Sequence, residues 1–468
     1  MRLATDPIER PQNPFAILSK LTVKHWLVFA ASFLGWTLDA MDYFVFNLAV
    51  SNIATEFKEN KSTITSGITL CLLLRPVGAL IFGLLGDRFG RRGPLMLDIL
   101  LFSILEVCTG FSNNLTTMFI IRALFGICLG GEWGLGAALA LEEIPVEARG
   151  ILSGLLQQGY ATGNLVASGL YYAVVPSLGW RPLFYICAFP ALLILFIRFF
   201  VPESKASVAQ IERRKASKTS FIFDLKFTFK HHWGLAIYCI VLMTAFNFLS
   251  HGSQDLYPTF IGSLGYTDSQ KAVTNAISAT GAICGGTIFG YFGQYLGRRR
   301  AVIVATLGAA GMIYPWAFSS TLSSLQISGF FMQFFVQGAW GVVPAYLNEL
   351  SPPAVRATFP GLTYNIGNMI SASSAQIESS LGEKYPTGAV DKAGAAIPNY
   401  GLTQSVLMGI TTSVLLIVIA FGEEKKGRDL TVGSLEEGPI DGTRGEVVVE
   451  YKAGVGIPQA DSATTIVV

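Results

Sequence analysis

The sequence predicts an all-α membrane protein in which twelve transmembrane helices form two pseudo-symmetric six-helix bundles. Hydrophobic residues make up 51% of the chain and charged residues only 14%, whereas a soluble protein carries about 25% charged residues. Twelve apolar runs are long enough to cross a bilayer as helices. A glycine- and arginine-rich string also occurs once in each half of the chain, which indicates two related halves.

The apolar runs fall into two sets of six. The first set covers 26–50, 64–86, 95–112, 116–141, 151–176 and 181–201. The second set covers 233–262, 270–292, 300–318, 325–347, 359–380 and 403–421.

These runs divide the chain into five parts, separated where the composition becomes polar. The parts are an N-terminal segment 1–24, a first bundle 25–201, a central loop 202–232, a second bundle 233–421 and a tail 422–468. The central loop is polar and basic, and the tail is polar and Gly-rich, which is typical of a disordered segment.

The repeated string follows the second run and, again, the eighth. Residues Gly83–Arg92 have the sequence GLLGDRFGRR, and residues Gly290–Arg299 have the sequence GYFGQYLGRR. The glycines allow tight turns and close helix packing, and the arginines hold the loop at the membrane surface. One string at the same place in both sets predicts two halves related by a parallel repeat, as in the major facilitator fold.

Lysine and arginine are concentrated in alternate loops, and this asymmetry predicts the orientation in the membrane. The basic loops include both repeats and the central segment, so we expect them to face the cytoplasm. An even number of helices then places both termini in the cytoplasm.

A polar stripe interrupts the seventh apolar run. Asn247, His251, Gln254 and Pro258 recur at i, i+4, i+7 and i+11, which predicts one helix face, with Asp255 beside it. Charge in hydrocarbon costs several kcal/mol, so ionisable residues there indicate function. Proline also leaves a backbone carbonyl free on that face. The stripe suits the lining of a water-accessible cavity, and the alternative is a polar seam between helices.

The stretch Asn247–Thr259 resembles the signature N-x-x-[S/T]-H-x-[S/T]-Q-D-x-x-x-T of the fungal lactate/pyruvate:proton symporters, which are sialate/carboxylate:proton symporter-like members of the major facilitator superfamily. Every fixed position of the signature is filled. The superfamily resemblance extends over about 25–422. It implies proton-coupled import of short monocarboxylates (lactate, pyruvate or acetate) across the plasma membrane, with the acid, the proton and the lipid bilayer as partners.

Arg75, within the second helix, is the first candidate for binding the carboxylate of such an anion. Its guanidinium offers a planar pair of donors that matches a carboxylate. The alternative is a structural ion pair with Asp39, Asp42 or Glu106.

Several ionisable residues are candidates for proton coupling. His251 is preferred because its ordinary pKa lies nearest physiological pH, and Asp255, four residues later, would stabilise the imidazolium. Asp39 and Asp42 share a face of the first helix, which suits a proton acceptor, although pairing with arginine is equally compatible. Glu132 lies among spaced glycines that resemble the helix 4 motif of the superfamily, and it belongs either to a proton path or to a structural seam.

Amide side chains complete the predicted substrate site. The family resemblance implies that Asn365 and Asn368, in the eleventh helix, meet the substrate. Gln157 and Gln158 in the fifth helix are similar candidates, with a helix–helix hydrogen bond as the equal alternative. The predicted substrate-binding set is Arg75, Asn247, His251, Gln254, Asn365, Asn368 and Gln158.

The repeated string also predicts a cytoplasmic gate. In the superfamily the aspartate of this loop pairs with basic residues and a helix end to latch the cytoplasmic side shut. Asp87 can do this, whereas the second repeat has Gln294 at the matching position, which leaves the second latch in doubt. The other predicted gate residues are Arg88, Arg91, Arg149, Arg298 and Arg356.

Composition and motifs argue against other classes of protein. The balance of 33 basic and 31 acidic residues disfavours a nucleic-acid partner. We find no nucleophile elbow, phosphate-binding loop or metal-ligand motif, so we expect no enzyme activity, no metal and no cofactor beyond a proton gradient. We expect a monomer. The alternative functions are a permease for another organic acid or a sugar, and a nutrient receptor that does not transport.

Overall fold

The computed structural model describes residues 11–59, 61–217, 221–388, 397–428 and Leu430. These residues form α-helices and one short 3₁₀-helix, Pro353–Val355, and no strand occurs among them. The first helices are α1 (Pro14–Leu18), α2 (Val23–Phe57), α3 (Lys61–Phe89), α4 (Arg92–Gly110), α5 (Leu115–Glu143), α6 (Val146–Gln157), α7 (Gly159–Leu178) and α8 (Arg181–Phe200). The others are α9 (Lys205–Ser217), α10 (Phe221–Gln254), α11 (Tyr257–Ser263), α12 (Asp268–Leu296), α13 (Arg298–Ala317), α14 (Leu322–Leu350), α15 (Thr358–Ser371), α16 (Ser374–Lys384) and α17 (Tyr400–Phe421).

The predicted fold class is confirmed. Over the described residues each of the twelve apolar runs coincides with a long helix or with a broken pair of helices. The broken pairs are α6–α7 at Gln158, α10–α11 after Gln254 and α15–α16 at Ala372–Ser373. Eight of the described helices are long and apolar enough by themselves to cross a membrane. The two bundles meet where α6 packs against α12 and α14, and where α15 packs against α3 and α5.

The central segment 202–232 is helical where it is described, although a loop was expected. Ser204 precedes α9 and its hydroxyl accepts a hydrogen bond from the backbone of Ser207 at 3.1 Å, so it caps the helix. Gln210 then donates to the carbonyl of Pro353 at 2.9 Å and fixes α9 to the second half. Helix α10 begins at Phe221, well before the apolar run, and bends at His232, where φ is −116°.

Glycine allows the helices around the later site to approach closely. A Cβ at Gly130 of α5 would lie 2.0 Å from the carbonyl oxygen of Arg75 in α3. A Cβ at Gly154 of α6 would lie 2.4 Å from the carbonyl oxygen of Gly286 in α12. Both distances are too short for a side chain, so these glycines determine how α3 packs on α5 and how the two bundles meet.

Candidate functional site

Two cavities lie between the bundles and share part of their lining. The inner cavity has a volume of about 30 Å³, and the outer cavity has a volume of about 620 Å³. The residues that line both are Tyr43, Leu72, Tyr160, His251 and Gln337. The inner cavity is therefore the closed end of a space that widens towards one side of the protein.

Arg75, in the middle of α3, places its guanidinium in the lining of the inner cavity. The other buried arginines of the first bundle all have acidic partners. Arg122 lies 3.3 Å from Glu106, and Arg198 lies 2.7 Å from Glu132. Arg91 and Arg149 also contact carboxylates, at the end that carries the repeated string. Arg75 is 4% exposed, and no carboxylate of the described residues forms an ion pair with it. The described structure therefore does not contain the ion pair that was the alternative role for Arg75.

Indole donors accompany Arg75 in the inner cavity. The Nε1 atoms of Trp36 and Trp340 and the Nε atom of Arg75 are buried without a hydrogen-bond partner among the described residues. All three side chains surround Tyr364, with ring centroids 6.5 Å away for Trp36 and 5.9 Å away for Trp340, and with the Arg75 Cζ atom 5.9 Å away. Buried donors normally have acceptors, so this cluster is suited to an anionic ligand.

His251 lies where the two cavities join and contacts an acceptor at each ring nitrogen. Its Nδ1 atom lies 2.9 Å from Oδ2 of Asp255 on α10, and its Nε2 atom lies 2.9 Å from Oδ1 of Asn368 on α15. Only an imidazolium can donate to both oxygens at once. The geometry therefore accommodates the protonated ring, and 43% of the Asp255 side chain is exposed.

The polar stripe follows both cavities, although it does not lie on one continuous helix. Asn247 lines the inner cavity, and Gln254 and Pro258 line the outer one. Helix α10 ends at Gln254, and Pro258 belongs to α11. The break occurs because Pro258 has no N–H to donate to the carbonyl of Gln254.

Two glutamines of α14 complete this wall and were not predicted. Gln254 donates to Oε1 of Gln333 at 2.9 Å, and Gln333 donates to the hydroxyl of Ser253 at 3.1 Å. Gln337 donates to the hydroxyl of Ser250 at 3.4 Å. Their spacing of four residues within an apolar run is the sequence signal that could have identified them.

The structure separates the two amides predicted in the eleventh helix. Asn368 lines the inner cavity. Asn365 is absent from both linings among the described residues, because its amide nitrogen donates to the carbonyls of Gly130 at 3.1 Å and Gly361 at 2.8 Å. Asn365 therefore joins the bundles at the seam with α5 and lines neither of the two cavities.

Of the two candidate glutamines in the fifth span, Gln157 lines the inner cavity and Gln158 lines neither cavity. Gln157 accepts a hydrogen bond from Nε1 of Trp133 at 3.4 Å. Gln158 is 3% exposed and donates to the carbonyl of Gly154 at 3.4 Å. It occupies the break between α6 and α7, where consecutive residues point in different directions.

The acidic residues of the first bundle lie behind the inner cavity. Asp39 and Asp42 are buried, and neither lines the inner or the outer cavity. Their carboxylate oxygens have no hydrogen-bond partner among the described residues, and the same is true of Asp98, which the sequence did not single out. Glu132 contacts Arg198 rather than the cavity, with 2.7 Å between the atoms.

The side that carries the repeated string, here named the latch side, is closed by Asp87. Its carboxylate accepts hydrogen bonds from the backbone of Ala357 and Thr358, both at 2.9 Å, and from the Thr358 hydroxyl at 2.7 Å. These groups lie at the N-terminus of α15, which favours negative charge. Arg91 contacts Asp87 at 3.2 Å and Glu142 at 3.1 Å.

The second half uses a different set of contacts at its matching loop. Gln294 accepts a hydrogen bond from Arg298 at 2.8 Å, and Arg298 binds Glu349 through two nitrogens at 2.9 and 3.0 Å. Arg149 of α6 lies 3.6 Å from Glu349 of α14, so an ion pair again crosses between the bundles.

Two predicted gate arginines contact the start of the tail, and one is exposed. Arg149 donates to the carbonyl of Arg428 at 2.9 Å, and Arg356 donates to the carbonyl of Leu430. Arg88 is exposed, with its guanidinium 4.9 Å from the ring of Phe89. The remainder of the predicted tail, 431–468, lies outside the described residues.

The outer cavity opens on the side opposite the latch. Thr65 lines it near the beginning of α3, whereas Asp87 lies near the end of the same helix. Asp255 and Asn275 line it near the facing ends of α10 and α12. The protein therefore has one open and one closed end.

Comparison with known proteins agrees with this architecture. The sequence model of the Major Facilitator Superfamily matches residues 30–375. A carboxylic acid transporter protein homolog of Saccharomyces cerevisiae is 32% identical over 468 residues, covering 94% of this chain and 76% of that protein. A probable 4-methylmuconolactone transporter of Cupriavidus pinatubonensis is 30% identical over 367 residues, covering 74% of this chain and 81% of that protein.

Among solved structures, the proton:xylose symporter XylE bound to 6-bromo-6-deoxy-D-glucose has a TM-score of 0.70 at 20% identity. The match covers 88% of this chain and 98% of that one. At this identity the similarity concerns the fold alone.

Proposed function

Since this chain belongs to the Major Facilitator Superfamily, whose members are transporters and not enzymes, we propose that it carries a short monocarboxylate together with a proton. The observation that supports this most directly is Arg75, a buried guanidinium without an ion pair among the described residues, in a cavity with two indole donors. A cation so placed in a membrane requires an anion, and the substrate carboxylate is the partner proposed here.

Size and polarity favour a small hydroxy or oxo acid such as lactate or pyruvate. The inner cavity, at about 30 Å³, leaves room for only a few atoms unless side chains move. Beyond the donors for one carboxylate, Asn247, Asn368 and Gln337 line the same region. These amides can bind the second oxygen function of a 2-hydroxy or 2-oxo acid, which acetate lacks.

His251 is the proposed coupling residue. When the ring is protonated, it can donate to Asp255 and Asn368 simultaneously. Loss of the proton removes one of these donations and one positive charge close to the anion site. Binding of the anion and binding of the proton therefore favour each other, and the pair crosses the low-dielectric region with little net charge.

The acidic residues of the first bundle have a proposed supporting role. Asp39 and Asp42 are buried, and their carboxylate oxygens have no hydrogen-bond partner among the described residues. Asp39, with Asp42 behind it, is proposed to balance Arg75 after the anion leaves. Glu132 would extend this proton path towards Arg198.

Transport is proposed to proceed by alternating access of a monomer in the plasma membrane. With the latch side in the cytoplasm, the structure corresponds to an outward-open state. Rocking of the bundles would close the outer cavity and separate Asp87 from α15, which exposes Arg75 to the cytoplasm.

A larger organic acid is the second candidate substrate. The outer cavity, at about 620 Å³, can hold a molecule far larger than lactate. The C. pinatubonensis relative, a probable 4-methylmuconolactone transporter, is similar over 74% of this chain.

Uptake into proteoliposomes tests the proposal. Purified protein is reconstituted and given labelled lactate with an inward proton gradient, without one, and with a protonophore. We expect accumulation above equilibrium only with the gradient. Equal uptake in all three conditions would exclude proton coupling. Displacement of label by a muconate but not by unlabelled pyruvate would favour the larger-acid alternative.

A further inference from the structure

Glu378 of α16 is a buried carboxyl group in the second bundle, and it has no role in the transport mechanism proposed above. It is 0% exposed. Neither of its carboxylate oxygens has a hydrogen-bond partner among the described residues. Such a group needs an explanation, because an ionised carboxylate in an apolar environment is very costly unless it is paired.

The carboxyl lies directly behind the turn of α10 that carries His251. A Cβ at Gly252, the next residue, would lie 3.4 Å from Oε1 of Glu378 and 3.4 Å from Sδ of Met408. The same position lies 3.2 Å from Cδ2 of Leu407. Glu378 therefore occupies the seam where α10, α16 and α17 meet, and its neighbours from α17 there are apolar.

Helix α17 supplies a polar group to this seam but no charge. Gly382, one turn after Glu378, faces Tyr400, and Met408 shares the contact at Gly252. Gln404 lies one turn from both Tyr400 and Met408 and so shares their face. It is 0% exposed, and its amide has no hydrogen-bond partner among the described residues. The sequence of α17, Tyr400–Phe421, contains no charged residue.

The titratable groups around Glu378 are acidic or neutral except for His251 and the exposed Lys384 at the end of α16. Helix α10 contributes the His251–Asp255 pair. Asp255 follows Gly252 by three residues, one helical turn, and so lies on the face that meets Glu378. Helix α17 contributes Tyr400, and α16 itself contributes the exposed Glu383. No described cation pairs with Glu378, so the carboxyl is expected to hold its proton in this outward-open conformation.

We propose that Glu378 is a second proton-binding residue, which exchanges a proton with Asp255 when α16 moves relative to α10. The exchange is a simple proton transfer. The O–H bond of Glu378 breaks and an O–H bond forms on Asp255, so the negative charge moves from Asp255 to Glu378. This inference rests on the proposed proton-coupled function.

The position of α16 makes such a movement plausible in physical terms. The backbone hydrogen-bonding of the eleventh span is broken at Ala372–Ser373, so α16 can tilt independently of α15. Ala372 and Ala375, at and just after this break, line the outer cavity. Closing the outer cavity therefore has to move the helix that carries Glu378.

The test compares Glu378→Gln with Glu383→Gln, which makes the same chemical change at an exposed position of the same helix. When two ligands are coupled, binding of one commonly changes the affinity for the other by about 5- to 150-fold. We therefore expect Glu378→Gln to lose about tenfold or more of gradient-driven lactate accumulation and most of its pH dependence. Lactate exchange at equal pH should remain near the wild-type rate, which also shows that the variant is folded. Glu383→Gln should match wild type in every assay.

Failure of this inference differs from failure of the proposed function. If wild type shows no response to a proton gradient, the proposed function fails, and this inference fails with it. If wild type is gradient-driven and Glu378→Gln accumulates lactate equally well, only the role of Glu378 is overturned.

A measurement on the unmutated protein covers the case in which Glu378→Gln does not fold. Dicyclohexylcarbodiimide modifies protonated carboxyl groups in apolar surroundings, and peptide mass spectrometry locates the adduct. We expect an adduct at Glu378 that decreases with rising pH and is absent at Glu383. A reagent-treated protein without an adduct at Glu378 would contradict the proposal.

Discussion

Three of the buried arginines of the first bundle, Arg75, Arg122 and Arg198, differ in what neutralises them. Arg122 and Arg198 each contact a glutamate, at 3.3 Å and 2.7 Å, and so contribute to a neutral interior. Arg75 instead lines the inner cavity close to the unpartnered indole of Trp36. Because all three are arginines within apolar helices, their roles follow from their partners and not from their residue type.

At this residue scale we predict that Arg75→Lys impairs transport although the charge is kept. An ammonium cannot reproduce the two parallel donations of guanidinium. Losing one hydrogen bond to a charged group costs about 1.5–3 kcal/mol, which is roughly a 10- to 150-fold loss of affinity. Competition between labelled and unlabelled lactate, at equal amounts of protein, measures this loss of affinity. The exposed Arg88→Lys is the matched control. Wild-type affinity and rate in Arg75→Lys would show that Arg75 does not bind the carboxylate.

We also predict that His251→Ala uncouples the carrier. Without the ring, no group between Asp255 and Asn368 binds a proton that strengthens anion binding. Gradient-driven accumulation should disappear, while downhill exchange of lactate continues at a reduced rate. Parallel accumulation and exchange assays on the same vesicles measure both. Full accumulation by this variant would exclude His251 as the coupling residue.

At the scale of elements, closure of the latch side depends on the N-terminus of one helix. Asp87, near the end of α3, accepts two backbone hydrogen bonds of 2.9 Å from the start of α15. The second half lacks this aspartate and uses Arg149 and Glu349 across the same interface. The two halves share a repeat but close the latch side with different chemistry.

We therefore predict that Asp87→Asn weakens the latch. Hydrogen bonds to a charged group are worth about 1.5–3 kcal/mol each, against about 1 kcal/mol for neutral ones. Amide hydrogens of Ala357 and Thr358 should exchange with deuterium faster, which mass spectrometry of the α15 peptide can measure. Arg88→Gln, an exposed change in the same loop, should leave this exchange unaltered. Unchanged protection in Asp87→Asn would mean that other contacts keep the latch closed.

At the scale of the whole molecule, the two bundles enclose a cavity that is open at one end only. Ala372 lines the outer cavity, whereas Ala140 is buried in the cluster behind the latch. Because the bundles are separated at the outer cavity and in contact at the latch side, solvent reaches Ala372 but not Ala140.

This arrangement predicts the labelling of introduced cysteines in a protein whose native cysteines are removed. Ala372→Cys should react with a membrane-impermeant thiol reagent added from outside, and saturating lactate should slow the reaction. Ala140→Cys should stay unreactive from either side until Asp87→Asn is added. Equal reactivity at both positions in the absence of substrate would be inconsistent with an outward-open state.

The sequence by itself determined the helices, the two halves and the polar stripe. Membrane helices satisfy their backbone hydrogen bonds locally, so the apolar runs and the repeat at Gly83 and Gly290 were sufficient. Helix α9 was missed because its cap, Ser204, lies in a segment that is polar throughout. Such a helix forms through contacts with other elements, and local hydropathy does not record them.

Only the tertiary structure decided which polar residues meet. Asn365 and Asn368 are three residues apart on α15, yet one joins the seam with Gly130 and the other contacts His251. The sequence gives no sign that Glu378 is buried. Helices α10 and α17 enclose it, and no cation among the described residues pairs with it. Periodicity assigns a side chain to a helix face, but burial and charge depend on the neighbouring helices, which are distant in the sequence.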